Sequence, residues 1–211
     1  TQDASREHAA RLRVRALVAL EDPSRALETV RALFRATPDA DLPAVAALAG
    51  ELAPFRDAVV QAVDDVLARL PDHVPSLWRR GSTRADLGQD AQALEDLEAC
   101  LARCDGEPFE VDLHEALAAV LARLGDHARA AEHAGRAQAA DSGRLFSAQV
   151  RASALVTQGQ IGDALEVVRE AIRSASDEAL AGAADLLTEL LAYPDEIAAA
   201  AGRIAGHVVR T

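Results

Sequence analysis

The sequence has no lysine, asparagine or methionine, and aromatic residues make up only 3% of its 211 residues. A chain without lysine cannot contain the glycine-rich phosphate loop, whose lysine reaches the phosphates. The sequence also has no Gly-x-Ser-x-Gly motif and no Gly-x-Gly-x-x-Gly motif after a predicted strand. Carboxylates are plentiful, but no pair of them is singled out for general acid–base chemistry. We therefore expect no catalytic residues and predict that the chain is not an enzyme.

Cysteine and histidine are too sparse to predict a disulfide framework or a metal site. The two cysteines, Cys100 and Cys104, lie four residues apart at the end of one predicted helix. A buried small residue at Cys100 is a simpler interpretation than a metal ligand. The six histidines form no His-Glu-x-x-His motif, so we expect surface or half-buried positions for all of them: His8, His73, His114, His127, His133 and His207. No metal and no cofactor are expected.

Long apolar runs and a basic charge excess are also missing. No stretch of about 20 apolar residues exists, so no membrane insertion is expected. The net charge of −12 disfavours nucleic acid, which binds through clustered cations. No signal peptide is visible, which favours a cytoplasmic protein. The chain begins at Thr1 rather than at a methionine, so a removed leader and a larger parent protein both stay open as alternatives.

A repeated glycine pattern is the most informative feature that the sequence does contain. Gly88, Gly125 and Gly159 are each followed five residues later by an alanine, and seven residues after that by a small residue. The three alanines are spaced by 37 and 34 residues, a period typical of stacked helical hairpins. Half of the residues are hydrophobic, mostly Ala and Leu, with no sustained alternation of the kind that strands show. We predict an all-α chain.

Each repeat reads as two helices joined at the glycine. The three regular copies cover residues 74–175, and weaker copies extend the pattern to both ends. Asp22 followed by Pro23 predicts a helix start, while Pro54 predicts an inter-helix corner before Ala58, Ala62 and Val66. In total we expect about six hairpins.

The pattern resembles the tetratricopeptide (TPR) repeat family. The resemblance rests on a small residue in each first helix (Gly81, Ala118, Ala152), a turn glycine and two small residues in each second helix. It implies a right-handed α-α superhelical solenoid forming a single domain over residues 1–211, with degenerate repeats at 5–73 and 176–211. The tyrosine common in first helices is replaced by Arg84, Leu121 and Leu155. Other two-helix solenoids therefore remain alternatives for the weaker copies.

The same resemblance implies that the first helices line a concave surface that takes a peptide or helix from a partner. Counting along these helices predicts the following partner-binding residues: Arg11, Arg15, Trp78, Arg79, Ser82, Glu115, Phe146 and Gln149. Trp78, with Arg79 beside it, is the expected anchor, because Trp and Arg dominate interface hot spots. The alternative is that Trp78 fills the core at the join to the preceding repeat.

Arginines form two basic clusters, one at Arg11, Arg13 and Arg15 and the other at Arg79, Arg80 and Arg84. These clusters suit an acidic peptide or a chain terminus, since guanidinium groups pair with carboxylates in a bidentate manner. The alternative is a solvated helix face paired with neighbouring Asp and Glu. Some TPR domains clamp a terminal carboxylate with Lys and Asn, and the absence of both residues excludes that arrangement here.

We therefore predict a non-catalytic scaffold that binds a protein or peptide partner. The alternative is an accessory domain of a larger enzyme or transcription regulator. Near the C-terminus, apolar residues fall on more than one side of the predicted helices, and we expect a second copy of the chain or a neighbouring domain to cover them. They are Leu180, Leu186, Leu187, Leu190, Leu191, Ile197, Ile204, Val208 and Val209.

Overall fold

The computed structural model describes residues 2–104, 106–141 and 144–174, and these residues form helices without any strand. The all-α prediction is confirmed. Backbone contacts divide the chain into two compact units, residues 1–106 and 107–211. The prediction of a single repeat domain over residues 1–211 stays a prediction. The predicted final hairpin and its apolar residues lie outside the described residues.

The described residues of the first unit form three helical hairpins. Its elements are α1 (Gln2–Ala19), α2 (Pro23–Ala36), α3 (Leu42–Ala46), a 3₁₀ helix (Ala47–Leu52), α4 (Arg56–Leu67), α5 (Val74–Asp86) and α6 (Asp90–Leu101). Helix α1 packs on α2, α5 packs on α6, and α4 contacts α2, α5 and the 3₁₀ helix. Each hairpin thus covers the apolar face of its neighbour, as expected for a repeat array.

Helix α2 begins where the sequence predicts it. The Asp22 side chain accepts a hydrogen bond from the Arg25 amide at 3.1 Å, and Pro23 occupies the first helical position. The carboxylate satisfies one of the amides that a helix start leaves without a partner, and proline has no amide to satisfy.

The second hairpin departs from a regular repeat in its first helix. Helix α3 is five residues long and continues into the 3₁₀ helix, so two short segments replace one regular helix. Leu42, Leu48 and Leu52 are nevertheless fully buried. Helix α4 buries its small and branched residues as predicted, including Ala58, Ala62 and Val66. The second hairpin therefore keeps the buried positions of the repeat although its first helix is irregular.

The second unit contains two regular hairpins in its described part. They are formed by α7 (Glu110–Arg123) with α8 (His127–Ala140), and by α9 (Leu145–Thr157) with α10 (Ile161–Ser174). Leu113, Leu117 and Leu121 of α7 are buried one turn apart, opposite the buried Ala130 and Ala134 of α8. Alanine lets two helices approach closely, while a fully buried leucine contributes about 1.5–3 kcal/mol.

The predicted turn glycines close their helices by one shared mechanism. Gly125 has a φ of +84°, a left-handed conformation in which a side chain is strained. The next amide, that of Asp126, donates to the carbonyl of Leu121 at 2.9 Å. This bond is the mark of the Schellman motif, which ends a helix at a left-handed residue. Gly88 and Gly159 have φ values of +71° and +74° and are followed by the equivalent bond.

None of the described helices combines the length and hydrophobicity that crossing a membrane requires.

Candidate partner-binding face

Two of the predicted arginines lie together on α1 and reach the same carboxylate. Arg11 and Arg15 are one helical turn apart, so their side chains share a face. The Nε and Nη2 atoms of Arg15 donate to the two oxygens of Glu51 at 2.7 and 2.9 Å. Arg11 donates to Glu7 at 3.0 Å and lies 3.9 Å from Glu51. The arginine fork therefore joins α1 to the 3₁₀ helix in a bidentate ion pair.

This ion pair fixes the charge of Glu51. The hydrogen bond from Arg15 holds the pKa of the Glu51 carboxyl below its usual value, although partial burial acts in the opposite direction. The same hydrogen bond raises the pKa of Arg15. Glu51 is thus a carboxylate at neutral pH, and its side chain is only 19% exposed.

Arg79 reaches the same 3₁₀ helix from α5. Its guanidinium lies so close to Gly50 that a β-carbon added to this glycine would come within 2.8 Å of Nη1 and 3.1 Å of Cζ. Arg79 is half-buried, and it has no carboxylate partner among the described residues. The absence of a side chain at Gly50 therefore leaves the space in which the guanidinium group of Arg79 lies.

In the structure, three predicted site residues approach two adjacent residues of the 3₁₀ helix, Gly50 and Glu51. Arg11 and Arg15 approach Glu51, and Arg79 lies on Gly50. We call the three side chains of Arg11, Arg15 and Arg79 the arginine face. Gly50 and Glu51 are not among the predicted site residues, because they lie in the most degenerate repeat, where helical periodicity gives no reliable register.

Trp78 and Ser82 flank Arg79 on α5. Trp78 is half-buried. Ser82 is half-buried as well, and its hydroxyl donates to the carbonyl of Arg79 at 3.1 Å. The serine hydroxyl is therefore already engaged by its own helix.

The predicted cluster of Arg79, Arg80 and Arg84 does not exist as one surface. Arg80 donates to both oxygens of Asp96, at 2.9 and 2.6 Å, and Arg84 donates to the same carboxylate at 2.8 Å. Asp96 is only 4% exposed, and Asp64 of α4 lies 2.7 Å from Arg80 and 3.8 Å from Arg84, so the two arginines are matched by two carboxylates. This outcome corrects the expectation of a single cluster and fits its alternative, pairing with neighbouring acids.

In the second unit the predicted residues are arranged differently. Glu115 accepts hydrogen bonds from Arg144 at 2.6 Å and from the Ser147 hydroxyl at 2.9 Å, so its carboxylate ties α7 to the start of α9. Phe146 is 44% exposed, which is unusual for a large apolar side chain. Gln149 is half-buried one turn further along. An exposed aromatic ring is thus the main feature that this part of the second unit offers a partner.

Two histidines depart from the sequence-based expectation. The sequence predicts surface or half-buried positions without a cluster for His114 and His133, but both are buried, and their Nδ1 atoms lie 2.9 Å apart. The signal that could have located them is helical spacing, since both lie on the apolar stripes of α7 and α8. Cys100 is buried, as its spacing predicts. Within the described ranges no three His, Cys, Asp or Glu side chains are grouped to hold a metal.

Comparisons with known proteins identify the fold. No protein-family model matches the sequence, and no curated protein matches it. Solved structures of MamA, a TPR-like helical protein, are similar in fold. MamA from Desulfovibrio magneticus RS-1 has a TM-score of 0.62 and 19% identity, covering 80% of this chain and 94% of that one. A second MamA crystal structure has a TM-score of 0.64 and 13% identity, covering 81% and 92%. MamA of AMB-1 has a TM-score of 0.60 and 19% identity, covering 83% of this chain and 96% of that one. The fold is therefore TPR-like, as predicted.

Proposed function

We propose that this chain is a non-catalytic scaffold that binds a segment of a partner protein on the side of its first helices. The TPR-like fold supports this proposal at the level of class. Stacked hairpins offer extended surfaces made of rigid helices, and such surfaces suit peptide or helix recognition.

The observation that carries the proposal is the arginine face. Arg15 and Arg79 come from different hairpins and both reach the 3₁₀ helix, so a partner lying there would meet two hairpins at once. Arginine, like the neighbouring half-buried Trp78, belongs to the residue types that most often dominate binding energy. A rigid arrangement of these groups lowers the entropy cost of association.

In the second unit we propose that Phe146 supplies an apolar contact and that Gln149 supplies a polar one beside it. Glu115 is assigned a positioning part, because Arg144 and Ser147 already occupy its carboxylate. Removing this carboxylate would release the start of α9, where Phe146 lies.

Selection from a peptide library, with the whole chain immobilised, tests the proposal. We expect peptides to be recovered whose binding falls about tenfold or more in Trp78→Ala and in Arg79→Ala, the size typical of a hot spot. The matched control is Arg13→Ala, because Arg13 is exposed on the opposite side of α1 and its replacement removes the same charge.

Circular dichroism of each variant separates binding from folding. If Trp78→Ala or Arg79→Ala melts the protein, that residue is not an anchor. If selected peptides bind Trp78→Ala, Arg79→Ala and Arg13→Ala as tightly as the original chain, the side of the first helices is not the binding surface.

A further inference from the structure

The arginine face also indicates the chemistry of the partner. We infer that Arg79, held flat against Gly50, receives a carboxylate from an acidic segment of the partner protein. This inference rests on the proposed function and adds to it the class of side chain recognised and the residue that recognises it.

The first step is the balance of charge on the arginine face. Arg15 is matched by Glu51, and Arg11 is matched by Glu7 and the edge of the same Glu51 carboxylate. Arg79 has no acidic partner among the described residues. Three cations therefore face two carboxylates, and the uncompensated positive charge belongs to Arg79. Elsewhere in the same unit Arg80 and Arg84 are matched by Asp96 and Asp64, so the chain does pair its half-buried arginines when an acid is within reach.

The second step is geometry. A guanidinium presents its donors in a planar fork that matches the two oxygens of a carboxylate. The guanidinium of Arg79 already lies beside Gly50 in a half-buried position, so less freedom is lost when a carboxylate binds there. Gly50 does not have the left-handed φ found at the turn glycines, so the backbone does not require glycine here. The position of Arg79 does require it, because a β-carbon would displace the guanidinium.

The third step is the choice of ligand class. The chain carries a net charge of −12, so a dense polyanion such as nucleic acid is repelled at long range. A short segment that brings one or two carboxylates is repelled less. The half-buried Trp78, next to Arg79, offers an apolar surface that a peptide can cover and a small inorganic anion cannot. An acidic peptide that also contains apolar residues fits both groups.

Glu51 gives the proposal a gain-of-function test. In the free protein this carboxylate occupies the donors of Arg15. Glu51→Gln keeps the size of the side chain and removes its charge, so Arg15 becomes available to the partner. We expect this variant to bind an acidic peptide several-fold more tightly than the original chain.

The experiment uses fluorescence anisotropy with the whole chain and a fluorescein-labelled peptide of alternating glutamate and leucine. The comparison probe is the same peptide with glutamine in place of glutamate. We expect the glutamate peptide to bind at least tenfold more tightly than the glutamine peptide. Arg79→Ala should remove most of that difference, while Arg13→Ala should change affinity by less than about twofold.

Gly50→Ala separates position from charge. This variant keeps every charged group, and only the end of a flexible side chain must move to admit the methyl group. We expect its circular dichroism to be unchanged and its affinity for the glutamate peptide to fall about three- to tenfold. If its affinity is unchanged while Arg79→Ala is weakened, the position that Gly50 gives Arg79 has no role, and the inference is overturned.

The remaining outcomes separate this inference from the function on which it rests. Equal losses in Arg13→Ala and Arg79→Ala would show that only long-range charge matters, which overturns the inference. If library-selected peptides bind the first-helix face but carry no acidic residues and ignore Arg79, the inference is overturned and the scaffold function stands. If no peptide of any composition binds, the proposed function and this inference both fall.

Discussion

The Nδ1 atoms of His114 and His133 lie 2.9 Å apart in the hairpin of α7 and α8. Both residues are only 7% exposed, and their ring centroids are 5.1 Å apart. At this distance one Nδ1 donates its proton to the other, so at least one ring must be neutral. Burial lowers the pKa of His114, and burial followed by repulsion from His114 lowers the pKa of His133. Nearby Glu110 and Glu132 act in the opposite direction, while Arg129 and Arg136 reinforce the lowering.

We expect the protein to lose stability as the pH falls below about 6.5, the ordinary histidine pKa. In that range the histidines of the unfolded chain bind protons, while the buried pair of the folded chain stays neutral. The free energy of unfolding therefore decreases as the pH falls. The slope should approach about 1.4 kcal/mol per pH unit for each histidine that stays neutral in the folded state. Urea unfolding between pH values of about 7.5 and 5 measures it.

The control for the histidine pair is a comparison of two variants. Replacing both His114 and His133 by leucine should reduce the pH dependence in this range to the contribution of His73, whose pKa is also lowered by burial. His127→Gln, at the start of α8 and outside the buried pair, should leave it unchanged. A slope that is undiminished in the double variant would assign the pH dependence to other groups.

Two glycines of one hairpin should respond oppositely to alanine. Gly125→Ala should destabilise the protein by about 1–2 kcal/mol, because φ is +84° and a β-carbon is strained there even in open space. Gly135→Ala should stabilise it by about 0.5–1 kcal/mol, because Gly135 lies within α8 and nothing is within 4 Å of the added carbon. Thermal unfolding of both variants gives the comparison, and changes of the same sign would contradict it.

Gly81→Ala should destabilise the hairpin of α5 and α6 by overpacking. The new β-carbon would lie 2.8 Å from Cδ2 of Leu97 and 3.1 Å from Cβ of Asp96. Such a clash typically costs about 1–3 kcal/mol. Urea unfolding of the single variant, and of the double variant with Leu97→Ala, tests the cause. The added methyl should cost less once Leu97 is shortened, and an equal cost in both backgrounds would rule out this contact.

Asp96→Asn should be the most destabilising of these substitutions, at about 3–5 kcal/mol. It removes the buried carboxylate that Arg80 and Arg84 share and leaves them only Asp64, whose side chain is 45% exposed. The matched control is Asp86→Asn, because Asp86 pairs with Arg56 at 3.3 Å with both side chains more than half exposed. That surface pair should contribute no more than about 1 kcal/mol. Chemical denaturation at low ionic strength measures both, and similar losses would contradict the assignment of Asp96.

The parts of the fold that depend on neighbours along the chain could be predicted from the sequence. Gly88, Gly125 and Gly159 could be predicted as helix ends because a left-handed residue ends a helix within a few positions of the chain. The start of α2 at Pro23 has the same local origin, since Asp22 caps the amide of Arg25. The spacing of buried alanines and leucines then indicates the hairpins.

The candidate site could be predicted less completely. Arg11 and Arg15 lie together because they are one turn apart on a single helix, whereas Arg13 of the same predicted cluster lies on the opposite side of α1. The partner of Arg15, Glu51, is 36 residues away along the chain, in a hairpin whose first helix is irregular. Helical spacing points Arg79 and Arg80 in different directions but does not show that Arg79 meets Gly50 and Arg80 meets Asp96.

By itself, the sequence determined that this protein is a series of helical hairpins, because helix periodicity, capping and glycine turns act over a few residues. Only the tertiary structure decided which charged and titratable groups meet. Arg80 reaches Asp96 across 16 residues and His114 reaches His133 across 19. Those pairings depend on how one helix is rotated and displaced against the next, and that geometry follows from the packing of the whole core rather than from any local pattern.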